Sequence, residues 1–192
     1  MIGHDGNESK VQAFIQEYRP EIKFVLTFCI GLTISFLLIQ NKTVANNVIR
    51  PITVAETYVA SKILTVIGFP NEQSGIQIAG KEGNYFRMEV LNNCNGVFES
   101  IVFLMAFIAI QIPWRRKIGW MLFGFFLFHT INEMRLVSLF IIGSKHPDVF
   151  MFFHETFWNY ALVILTLGIF IFCGHKVSKS PILEHVEEAA SK

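Results

Sequence analysis

Cys94, Arg135 and His154 are residue types that together can carry out acyl transfer. A thiolate attacks an amide carbonyl, a histidine protonates the departing amine and later takes a proton from the incoming nucleophile, and an arginine balances the charge of the tetrahedral oxyanion. Cys94 stands in the polar turn Asn92-Asn93-Cys94-Asn95-Gly96, ahead of an apolar run. A helix starting there would favour the thiolate through its dipole and offer backbone amides, with Asn93 and Gly96 as turn residues, to an oxyanion. Cys29 and Cys173 fall within or at the end of apolar runs, where cysteine is ordinarily a small packing residue. The same reading could apply to Cys94, as an inert cysteine that ends a hairpin.

Arg135 closes the stretch Phe128-His129-Thr130-Ile131-Asn132-Glu133-Met134-Arg135 inside a long apolar segment. Ionisable residues in such a segment are functional candidates by default, because hydrocarbon penalises them. Asn132 and Arg135 are three apart and share a helix face, with His129 flanking Asn132; Glu133 could instead join Arg135 in polar bonds that only hold helices together. His154 opens Phe153-His154-Glu155-Thr156-Phe157-Trp158-Asn159-Tyr160, beside Trp158 and Tyr160, which suit a membrane interface. It is preferred over His146, which precedes Pro147 in a loop. A metal reading would use His129, Glu133 and His154, but the denser His-Glu-x-x-His pattern of zinc peptidases is missing. Neither a metal nor another cofactor is therefore expected. A non-enzymatic membrane subunit or small-solute transporter, with Glu133, Arg135 and His154 as a polar pathway, is the remaining alternative.

These residues must be positioned by membrane helices. The chain is 52% hydrophobic and 16% charged, and its 20 phenylalanines gather in long apolar runs, which is a membrane composition. Its 192 residues leave room for about four spans and a modest extramembrane segment, but for no separate soluble domain of ordinary size. A net charge of +1 gives no case for nucleic acid, and no glycine loop suggests use of ATP. Hydropathy places spans at 24–39, 97–112, 118–142 and 158–174, with 1–23 and 175–192 as end segments. The basic residues Lys10, Arg19 and Lys23, the group Arg115-Arg116-Lys117, and Lys176 and Lys179 all fall on one side, so both termini are expected in the cytoplasm. The first span reads as an uncleaved signal anchor, because Ile39-Gln40-Asn41-Lys42 offers no small-residue cleavage site.

Residues 40–96 then lie outside. In 44–67, Val48, Ile52, Ala55, Val59, Ile63 and Val66 recur at three-to-four spacing, which predicts an amphipathic helix on the membrane surface; Asn46, Asn47, Arg50, Glu56 and Lys62 argue against a further span. Gly75-Ile76-Gln77-Ile78-Ala79 and Tyr85-Phe86-Arg87-Met88-Glu89-Val90 flank the turn Gly80-Lys81-Glu82-Gly83-Asn84 and predict a β-hairpin. The fold expected is an all-α integral membrane protein with about four transmembrane helices, an outer amphipathic helix and a short hairpin. Arg135 is about 27 Å along its helix from Lys117, at the outer level shared by Cys94 and His154.

Cys94-Asn95-Gly96, then Asn132-Glu133-Met134-Arg135, then His154 before the next helix, resemble the pattern of the exosortase/archaeosortase family. The short chain and Phe157-Trp158-Asn159 look most like the exosortase H branch. Many members have further N-terminal helices that this chain lacks. The resemblance implies a cysteine transpeptidase of the bacterial cytoplasmic (inner) membrane, with its site on the periplasmic face. Cys94 would be its nucleophile, His154 its general acid and base, and Arg135 its oxyanion stabiliser. It also implies exported protein substrates ending in a short motif, a transmembrane helix and a basic tail, with membrane lipid as the surrounding partner.

Overall fold

In the computed structural model, residues 15–92 and 94–178 are described. Asn93 and the chain ends 1–14 and 179–192, which hold most of the expected cytoplasmic segments, lie outside the described residues. Helix α1, Arg19–Gln40, starts with Pro20 in its first turn, where the missing N–H has no intrahelical partner to lose. None of its residues is buried, as suits an apolar helix leaning on one neighbour and otherwise facing lipid. Asn41 ends it and caps the next turn, its side chain accepting from Thr43 N at 2.9 Å. The chain passes through a π-helical turn, Ala45–Ile49, into α2, Arg50–Val66.

Three short strands follow: β1 Asn71–Ser74, β2 Gln77–Gly80 and β3 Arg87–Glu89, antiparallel and in sequence order. The expected hairpin is β2–β3, with Ile78 opposite Met88. β1 is an addition that its polar Asn-Glu-Gln-Ser sequence does not announce. Asn71 ties it to α2 by donating to Ser61 O at 3.1 Å and accepting from Ser61 Oγ at 2.6 Å.

Helix α3, Val97–Ala109, covers 13 residues, about 20 Å, and is a shorter apolar helix within the segment expected at 97–112. Ile110 turns extended, and the side chain of Lys117, the buried third residue of Arg115-Arg116-Lys117, caps α3 instead of facing water. Its ammonium donates to the carbonyls of Phe107, Ile108 and Ile110, each at 3.0 Å, satisfying acceptors that the end of α3 leaves open. Lys117→Met should cost about 3 kcal/mol, the upper range for losing hydrogen bonds to a charged group. Thermal unfolding of the detergent-solubilised protein would read this, and an unchanged midpoint would refute the cap.

α4, Trp114–Lys145, is 32 residues and about 48 Å long, well beyond the ~30 Å hydrocarbon core. Its last turns pack against α2 and the sheet. A short α5, Pro147–Met151, and a second π-helical turn, Phe152–Phe157, lead into α6, Trp158–Ser178. Among the described residues, α1, α4 and the continuous Pro147–Val177 run are the three helices long and apolar enough to cross a membrane. With the shorter α3 and the small sheet they bear out the expected all-α membrane fold.

Two cores load the two parts of α4. Phe103 and Phe107 of α3 pack with Phe128, Ile169 and Cys173 among the membrane helices. In the second core, Ala60 and Leu64 of α2, Ile78 and Met88 of the sheet and Val90 just after it meet Leu136, Leu139 and Phe140. Gly143 lets the sheet approach, since a Cβ there would come within 2.1 Å of the Phe86 ring. The expected amphipathic helix exists, but it packs through its polar face. Thr53, Glu56, Thr57 and Ser61 are buried, while Val48, Val59, Ile63 and Val66 are exposed. It runs beside α4, from Glu56 next to His129 and Asn132 to Leu64 in the core shared with Leu139.

Candidate active site

The turn that carries Cys94 is built by its neighbours. The Cys94 amide donates to Leu91 O at 2.8 Å, reversing the chain just after β3. Asn95 is fully buried; its Oδ1 accepts from Val97 N at 3.0 Å and its Nδ2 donates to Thr53 Oγ1 at 2.8 Å. The first bond satisfies the free amide of the first residue of α3 and the second pins the turn to α2. Gly96 has φ +69°, a left-handed conformation that disfavours a side chain, and a Cβ there would meet Asn132 at 3.2 Å. Glycine therefore allows the turn to rest directly on α4, one helical turn from Arg135.

Two side chains converge on the buried thiol. Cys94 Sγ is 3.7 Å from His154 Nε2 and 3.8 Å from Arg135 Nη2. Arg135 is 2% exposed, so its charge acts where water cannot screen it well. Its Nε has no hydrogen-bond partner among the described residues, leaving guanidinium donor capacity beyond the bond to sulfur. His154 sits in the π-helical turn Phe152–Phe157, and its ring stacks on Phe150 at 5.6 Å between centroids and 17° between planes. The extra residue in that turn breaks the α-helical phase ahead of α6, a distortion frequent at functional sites. A cavity of about 250 Å³ opens onto Cys94 and His154. Its floor includes Leu136 and Leu139, with Arg87–Leu91 on one side and Phe150, Met151 and Glu155 on another.

The other residues singled out from the sequence are distributed around this centre. Asn132 is buried, lies against Gly96 and donates to Glu56 Oε2 at 2.6 Å. His129 contacts Glu56 through Nδ1 and Ser100 Oγ through Nε2, the latter at 3.4 Å; its ring also packs on Phe125. It supports the turn from below. Glu133 has a buried Oε2 without a hydrogen-bond partner among the described residues. Asn93 is not among the described residues. His146 ends α4 at the turn into α5.

Glu56 is the residue that sequence reasoning missed. It joins His129 and Asn132, hence α2 to α4, beneath the Cys94 turn. The signal was present as the second face of α2, where Thr53, Glu56, Thr57, Ala60, Ser61 and Leu64 also recur at three-to-four spacing. Small and polar residues at that spacing mark the contact face of a helix whose apolar side meets lipid. Glu56→Leu should lower stability by about 3 kcal/mol, the scale for removing one partner of a buried charged network. A thermal midpoint equal to wild type would remove Glu56 from that role.

Membrane helices, a small sheet and a thiol–arginine–histidine cluster at their junction define a polytopic membrane protein with a polar site buried where helices and sheet meet. Residues 20–176 match the transmembrane exosortase family (Exosortase_EpsH), and the chain belongs to that family. The family resemblance read from Cys94, Asn132, Arg135 and His154 is thereby borne out. No curated protein and no solved structure matches the chain.

Proposed function

We propose that the chain is a membrane-embedded cysteine transpeptidase that cleaves the C-terminal sorting signals of exported proteins through a thioester. The observation that carries this reading is the approach of His154 Nε2 and Arg135 Nη2 to within 3.7 and 3.8 Å of Cys94 Sγ. Family membership supports an enzyme of the exosortase type.

In the first half-reaction the Cys94 thiolate attacks the scissile carbonyl carbon and a C–S bond forms. Arg135 compensates the negative charge on the carbonyl oxygen as it develops. The C–N bond then breaks, and protonated His154 gives its proton to the departing amine, which leaves with the membrane helix and basic end. In the second half-reaction an acceptor, water or an amine, attacks the thioester carbonyl. Neutral His154 takes the acceptor's proton, and the thiolate of Cys94 leaves with the C–S electron pair.

The basic group Arg115-Arg116 at the start of α4 and Lys176 near the end of α6 support a cytoplasmic position for those ends, and hence a periplasmic position for the Cys94 turn. The host membrane is then the bacterial inner membrane, crossed several times, with both termini in the cytoplasm. The test is co-expression with a host exported protein that carries a C-terminal motif, an apolar helix and a basic tail. The chain should convert that protein to a shorter form released from its membrane helix. An unaltered protein beside well-inserted chain would return the account to a non-enzymatic membrane subunit.

A further inference from the structure

The geometry points to the open edge of β3 as the docking site for the segment around the scissile bond, which adds to the sheet as a parallel fourth strand. This rests on the peptidase reading above. In the sheet order β1-β2-β3, β3 has a strand neighbour on one side only among the described residues. Gly80 N donates to Phe86 O at 2.9 Å and Val90 N to Ile76 O at 2.8 Å, so residues 86 and 90 turn their backbone groups toward β2. Antiparallel pairing alternates, and the N–H and C=O of Arg87 and Glu89 therefore point away from β2. An edge strand with outward-facing backbone groups is a template for another extended chain.

The edge is continuous with the reacting atoms. Residues Arg87 through Leu91 line the same cavity as Cys94 and His154, with Phe150, Met151 and Glu155 on its other side. Their four steps span about 13 Å. The Cys94 turn follows at the end of that run, placing a carbonyl carried along the edge next to the thiol. Main-chain bonds would hold substrates of differing sequence, and alternate side chains would be sorted by the pocket. One set would face Leu136, Leu139 and Phe150, favouring small or apolar residues; the other would lie beside Arg87 and Glu89.

The direction of the strand also follows. Phe86 packs against Phe140 and Gly143, near the outer end of α4, whereas Cys94 lies beside Arg135. Gly143 and Arg135 are about 12 Å apart along α4, so β3 descends toward the membrane portion of the bundle. A substrate whose folded body is outside and whose membrane helix follows the cleavage site descends in the same sense. Parallel pairing is the arrangement that keeps both chains in register with the membrane.

Disulfide trapping tests this in full-length chain with Cys29→Ala, Cys94→Ala and Cys173→Ala, carrying either Arg87→Cys or Glu89→Cys. The probe is a tail-bearing host protein that the wild-type chain cleaves, with one cysteine walked through its motif. The substrate position that cross-links to Glu89→Cys should be two residues nearer the membrane helix than the one that cross-links to Arg87→Cys. The reverse order, or no cross-link to either, overturns the docking proposal and leaves the peptidase reading standing. Cleavage by the Cys94→Ala chain overturns the peptidase reading instead.

Discussion

Cys94→Ala should reduce cleavage of a co-expressed tail-bearing protein to the level seen without the chain, while Cys29→Ala and Cys173→Ala retain it. Alanine removes the only atom able to form the thioester, so the loss has the scale of removing a covalent nucleophile, about 10⁶-fold in comparable enzymes. The turn should persist, because the bond from Cys94 N to Leu91 O and the Asn95 bonds to Thr53 and Val97 do not use the sulfur. Cys29 lies exposed on α1 and Cys173 is buried in the Phe103–Phe107 core. Losing the sulfur at Cys173 should cost about 1 kcal/mol of packing, without touching the chemistry. Cleavage scored by gel mobility at matched amounts of inserted protein separates these outcomes, and processing by Cys94→Ala at the wild-type rate would remove the thiol from the mechanism.

Arg135→Lys should slow cleavage by about 10²- to 10³-fold although the charge is retained, the range for losing one preorganised donor at an oxyanion. The guanidinium can address the sulfur through Nη2 while other N–H groups remain for the substrate oxygen. A lysine ammonium is a point charge on a flexible stem and cannot present that fixed fork. The variant still places a cation opposite His154, so a large fall in rate with normal insertion would report geometry more than net charge. Arg135→Lys cleaving as fast as wild type would leave Arg135 as a structural residue.

The long apolar helices were legible because hydrocarbon demands about 20 apolar residues per crossing, and the hairpin because its strands alternate around glycines. Counting along α4 put Arg135 level with Cys94 and His154, and the three side chains meet in the structure. Lateral packing was not legible. It depends on Gly96 letting the turn rest on Asn132, on the π-helical turn beneath His154, and on Phe86 entering the space left by Gly143. Each is a property of two elements together, invisible in the pattern of either. The packing of the polar face of α2 was hidden for a related reason. Apolar periodicity marks the face turned away from polar groups but not what the opposite face meets, so the link from Glu56 to His129 and Asn132 could not be read from it. β1 escaped because Asn71–Ser74 is held by backbone pairing and by Asn71 rather than by an apolar face.

The central claim is a covalent bond between Cys94 and the substrate's new carboxyl end. The most direct measurement is mass spectrometry of the full-length chain, purified at mildly acidic pH from membranes actively processing a tail-bearing protein, with and without neutral hydroxylamine. The account predicts an adduct on the peptide containing Cys94, terminating at the cleavage site, released by hydroxylamine and missing from Cys94→Ala. An adduct on a different residue, or undiminished cleavage by Cys94→Ala, would contradict it.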